Sequence, residues 1–92
     1  MILPACVLMA PDDIIGLKQA AHLAGKDPKT IRDWCRKHGI GSRPGGGGPY
    51  RVSLPGLQMV IAEDWRALEL LREGRRSAPE VMRHLHFLGL AA

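Results

Sequence analysis

A mainly α-helical domain with one small β-hairpin is the fold class this sequence predicts, and three observations predict it. Of 92 residues 46% are hydrophobic but only 4% aromatic, so the core has to be built from Leu, Ile, Val and Ala, as in small helical domains. Apolar residues recur at helical spacing in several separate stretches. Between two of them, residues 40–53 replace that spacing with short extended runs on either side of four consecutive glycines. The length fits one small core.

The first ten residues are apolar, lack a basic leader segment, contain Pro4 and run into Pro11-Asp12-Asp13. They read as a strand-like or loosely ordered arm over 1–13, with the two acids capping the first structured segment, and not as a signal peptide. Leu17, Ala20, Ala21 and Ala24 then fall at i, i+3, i+4 and i+7, which predicts a helix over 16–24 with a narrow face that lets a second helix come close. Gly25 is its expected stop.

Asp27-Pro28-Lys29-Thr30 is a strong helix start: Asp27 at the N-cap, and Pro28 at the first position, where its missing N–H costs nothing. The helix is expected to run to His38 and end at Gly39. Ile31, Trp34, Cys35 and His38 form its apolar side; Lys29, Thr30, Arg32, Asp33, Arg36 and Lys37 form the other. Two short helices joined by a tight Gly-containing turn make a helix-turn-helix pattern, in which a basic outer face suits a recognition helix. An ordinary αα-hairpin with a solvated basic face is the plainer alternative.

The run Ile40 to Val52 reads as a hairpin with Ile40 and Val52 inward, Arg43 and Arg51 near the tip or outward, and a tip at Gly45-Gly46-Gly47-Gly48 expected to be mobile without DNA. Directly after a recognition helix such a hairpin would be a wing; otherwise it is a linker. Ser53 is expected to cap a third helix with Pro55 in its first turn. Leu57, Val60, Ile61, Asp64, Trp65, Leu68 and Leu71 keep near-helical spacing, as one helix to Arg72 or two with a break near Glu63; Trp65 is expected in the core. Ser77-Ala78-Pro79-Glu80 predicts a capping box with Ser77 at the N-cap, opening a last helix from Ala78 to about Leu88.

Charge separates along the chain. Residues 14–53 hold eight basic residues against Asp27 and Asp33, a net +6; residues 1–13 carry −2 and residues 54–92 balance to zero, for +4 overall. A surface selected only for solubility mixes signs throughout, whereas a segregated basic half suits a phosphate-bearing partner.

Residues 14–62 resemble the winged helix-turn-helix domains of the excisionase-like and MerR-like families. Those carry Leu-Thr-x-x-x-Ala-Ala, a Gly turn, then a capped Pro-x-Thr-[Ile/Val]-x-x-Trp helix. The matching residues are Ala20-Ala21, Gly25, Pro28, Thr30, Ile31 and Trp34, with Gly45 to Arg51 in the place of the wing. Gly16 and Lys26 depart from the pattern, standing where a Thr or Ser cap and a small apolar residue are usual. The resemblance implies DNA contacts from Lys29, Thr30, Arg32, Asp33, Arg36 and Lys37, and backbone contacts from Arg43, Tyr50 and Arg51. It further implies a sequence-selective double-stranded DNA-binding accessory protein, foremost an excisionase (recombination directionality factor) that binds and bends attachment-site DNA to direct an integrase. A small transcriptional regulator, a phage terminase small-subunit-like recogniser and a protein-interaction module are the alternatives. Residues 63–92 are expected to be a C-terminal helical extension, an oligomerisation element that supports self-association on DNA.

No enzyme or cofactor is expected. The glycine run lacks the Lys-Ser/Thr of a phosphate loop. Cys35 with His38, and His84 with His86, are incomplete as metal sets, and no nucleophile with its base can be assembled. Two cysteines suit a reducing compartment, no run spans a bilayer, and the second helix has too short an apolar stripe for a membrane surface. A cytoplasmic, nucleoid-associated protein of bacterial or phage type is the expectation.

Overall fold

A computed structural model of the chain describes residues 5–43 and 48–91. It is mainly helical, with a small antiparallel sheet. A 3₁₀ turn, Pro11–Asp13, leads into β1 (Ile14–Ile15), α1 (Leu17–Ala24), α2 (Pro28–His38), β2 (Gly41–Ser42), β3 (Arg51–Ser53), α3 (Leu54–Ile61), α4 (Trp65–Arg72) and α5 (Pro79–Phe87). The sheet has the order β1-β3-β2: Ile15 pairs with Val52 on one side of β3, and Gly41 with Val52 on the other. The sequence pattern contains β2 and β3 but not β1, which is too short to show any alternation.

The punctuation of α1 and α2 is local. Gly25 and Gly39 end them in the left-handed region, at φ 65° and 68°. The Asp27 carboxylate accepts the Thr30 N–H at 2.8 Å. That bond holds the Asp27 carboxyl below its ordinary range. Ala20 and Ala21 are buried, and α1 lies against α2.

One core runs through the chain: Ala20, Ile31, Ile40, Val52 and Leu57 are continuous with Ala67, Leu71, Val81 and Leu85 of the C-terminal helices and with Val7 of the arm. Ile40 and Val52 are both fully buried, with Ser42 and Arg51 exposed.

Two readings that the sequence leaves open are resolved, and two expectations, on Trp65 and Ser77, need correction. The arm is not loose over its described part. Val7 is buried and donates its N–H to the Gly39 carbonyl at 2.8 Å, while Arg72 donates to the Ala5 and His38 carbonyls at 3.3 and 2.7 Å. The long apolar stripe is two helices, parted at Glu63 with φ 55°. Asp64 caps the second of them through the Ala67 N–H. Trp65 is therefore the first residue of α4, not a core residue, and is 47% exposed. Finally, Ser77 does not cap α5. The N-cap is Ala78, extended at ψ 139° without a side-chain cap, because a residue before proline is disfavoured in helical geometry.

Candidate nucleic-acid interface

The second helix builds the centre of the site. At 100° per residue, Lys29, Arg32, Asp33 and Arg36 occupy one stripe at i, i+3, i+4 and i+7. Ile31 and Cys35 are buried behind it and Trp34 is half-buried. Cys35 is pushed up to about 11 by burial, with Cys6 close by. The stripe is held outward by what anchors its back, and its four charged side chains are exposed.

The hairpin brings a second wall. Lys29, Arg32, Asp33 and Arg36 line a groove of about 330 Å³ together with Tyr50. Arg32 and Tyr50 also line an adjoining hollow of about 380 Å³ with Leu17, Arg43, Gly48 and Pro49. Two elements separated in sequence therefore form one concave surface, with Arg32 and Tyr50 common to both parts. Arg43 Nε donates to the Gly48 carbonyl at 3.0 Å. Its guanidinium carbon lies 6.0 Å from the Tyr50 ring centroid, at the outer limit of cation–π attraction.

Of the nine residues singled out in the sequence, six line this surface: Lys29, Arg32, Asp33, Arg36, Arg43 and Tyr50. Thr30 and Lys37 lie about a quarter turn away on α2, Thr30 half-buried and Lys37 exposed. Arg51 is exposed on β3, paired in register with Ser42. The glycine tip expected at 45–48 falls outside the described residues except for Gly48. Leu17, Gly48 and Pro49 join the surface without being among the nine. Leu17 carries no signal for this role, since its spacing assigns it to the apolar face of α1.

The electrostatics are cationic with one exception. Lys29, Arg32, Arg36 and Arg43 set four positive charges along the surface, and Asp33 places a carboxylate among them. Arg36 Nη2 donates to Asp33 Oδ1 at 2.9 Å, with both side chains largely in water. At the far end of α2, His38 stacks on Trp65 with ring centroids 5.1 Å apart. Desolvation first, then the charges of Lys37 and Arg72, lower its pKa. Such a surface can neutralise an extended polyanion and offer donors to groups set back between its charges.

Among the described residues no group of three or more His, Cys, Asp or Glu is placed to hold a metal ion, and no helix is long and apolar enough to cross a membrane. No protein-family model, curated protein or solved structure matches the chain.

Proposed function

We propose that the chain is a non-catalytic, sequence-selective double-stranded DNA-binding protein of the winged helix-turn-helix type, with α2 as recognition helix and the β2–β3 hairpin as wing. The observation that carries this reading is the continuous cationic surface on which Lys29, Arg32 and Arg36 of α2 meet Arg43 and Tyr50 of the hairpin. A helix with an apolar back and a row of long donors in front has the shape that enters a major groove, while a hairpin beside it meets the flanking backbone.

Fluorescence anisotropy on a 30-base-pair duplex over a range of salt tests the reading. On a duplex of arbitrary sequence, where all four groove cations rest on phosphates, the predicted slope of log affinity against log salt is about −3 to −4. No binding at low salt, or a slope near zero, overturns it.

Within that class, the motif resemblance of residues 14–62 fits an excisionase-like factor that bends attachment-site DNA and directs an integrase, and fits a small transcriptional regulator or a terminase-type recogniser equally. Adjacent footprints with a phased bend on such DNA favour the first; a single unbent footprint favours the other two. A protein-docking role for the C-terminal half is favoured by Phe87, 75% exposed at the end of α5. Loss of a protein complex in Phe87→Ser, with DNA affinity kept, would support it.

A further inference from the structure

One acid stands in the middle of the cationic stripe, and folding does not account for it. Asp33 is the sixth residue of an eleven-residue helix, beyond the first turn where the helix dipole favours a carboxylate. Its pair with Arg36 leaves the two side chains 65% and 70% exposed, and pairs that open to water add almost nothing to stability. Against a phosphate backbone the carboxylate is repulsive, so on affinity alone it is a loss.

Its chemistry suits a base edge. In the major groove guanine offers the O6 and N7 acceptors, which take an arginine fork, and cytosine offers the N4 amino donor, which takes a carboxylate. The Asp33–Arg36 bond uses one of the five guanidinium N–H groups and one of roughly four carboxylate lone-pair sites. It aligns the two groups side by side and leaves each with capacity to spare. Three residues advance about 4.5 Å along a helix, close to the spacing of about 3.4 Å between stacked bases, so the two side chains reach the same or successive base pairs.

We propose that Asp33 and Arg36 act as one reading unit for a guanine and a cytosine in the major groove, Arg36 on the guanine and Asp33 on the cytosine amino group. Asp33 thus exchanges general DNA affinity for sequence selectivity. This rests on the DNA-binding reading above.

The test selects bound sequences from a pool of 30-base-pair duplexes with a random centre, using the intact chain, Asp33→Asn and Arg36→Lys. The intact chain is expected to enrich a fixed G·C position. Asp33→Asn should bind the unselected pool several-fold more tightly and lose preference at that position by about tenfold. Arg36→Lys should keep its affinity for the pool, because the charge remains, and weaken the guanine preference, because an ammonium cannot reproduce the planar fork of the guanidinium. Circular dichroism checks that both variants fold. If the intact chain binds the pool and enriches a motif that both variants enrich equally, the inference fails while the DNA-binding reading stands. If the intact chain binds no duplex, both fail.

Discussion

Arg76 and Asp13 meet through two hydrogen bonds, Nη1 to Oδ2 at 2.8 Å and Nη2 to Oδ1 at 3.2 Å, tying the turn before α5 to the turn before β1. The carboxylate is 1% exposed and the arginine side chain 35%. The Ala10 N–H donates to the same carboxylate at 3.1 Å. Taking away one partner of a fully buried pair costs about 3–5 kcal/mol, because the other charge stays buried. Arg76 keeps a third of its side chain in water, which screens part of that. Arg76→Met is therefore predicted to lower unfolding free energy by about 2 kcal/mol in urea at pH 7. A change below about 0.5 kcal/mol would mean that the pair does not hold the ends of the chain together.

The C-terminal ends of α1 and α2 differ in how they meet the rest of the chain, and glycine substitutions read that difference. Gly25 and Gly39 both have positive φ, but a Cβ at Gly25 meets nothing within 4 Å, whereas one at Gly39 would overlap the Ala5 carbonyl oxygen. Gly25→Ala is predicted to cost about 1 kcal/mol, the conformational penalty alone. Gly39→Ala should cost at least twice as much and free the arm, seen as faster amide exchange at Val7, whose N–H is bonded to Gly39. Equal losses at the two sites would show that the arm yields without resistance.

Arg32 and Lys37 separate a groove cation from a flanking one on the same helix. Arg32 lines both parts of the concave surface; Lys37 lies about a quarter turn off the stripe. Arg32→Ala is predicted to weaken binding to a selected duplex by about 1–3 kcal/mol, and Lys37→Ala by less than about 0.5 kcal/mol. Titrations giving the reverse order would move the docking face round the helix.

How much of the fold is legible in the sequence depends on how local each cause is. The bounds of α2 are legible because Asp27, Pro28 and Gly39 act within a turn of where they stand, and its cationic stripe because helical spacing sorts side chains without help from the rest of the chain. The break at Glu63 is ambiguous because Val60, Ile61, Asp64 and Leu68 keep one spacing across it; only the capping chemistry of Asp64 marks the second start. The same unbroken spacing assigns Trp65 to the core, where the structure does not put it. The Asp13–Arg76 pair, the strand β1 and the meeting of Tyr50 with Arg32 depend on the path of the chain between distant residues, which no periodicity encodes.

Asp64 joins the last two helices and gives the chain an acid-sensitive point. Its Oδ2 lies 2.7 Å from His84 Nε2 and 3.1 Å from Arg83 Nη2, and its Oδ1 takes the Ala67 N–H at 3.2 Å. The hydrogen bond with His84 is the largest cause holding its pKa below the ordinary 3.8. With the folded value depressed, the stabilisation is complete above about pH 3.8 and is lost as pH falls through the lower folded value. Urea midpoints at pH 5 and pH 2.5 are expected to differ more for the intact chain than for Asp64→Asn. An equal difference would place the acid sensitivity elsewhere.

The stack of His38 on Trp65 predicts a second pH dependence with an optical signal. The His38 pKa is lowered from 6.5, by desolvation first and then by the charges of Lys37 and Arg72. As pH falls the unfolded chain takes up this proton first. The stabilisation from a neutral His38 is therefore complete above about pH 6.5 and disappears as pH falls through the folded value. An opposing effect exists, since an imidazolium over an indole face is attractive, and the titration shows which of the two wins. In a Trp34→Phe variant, which leaves Trp65 as the sole tryptophan, protonation of the stacked ring is expected to quench fluorescence with a midpoint below 6.5. A midpoint at or above 6.5 would mean that cation–π attraction outweighs burial, and an unchanged signal would mean that the rings, 5.1 Å apart here, do not stay stacked in solution.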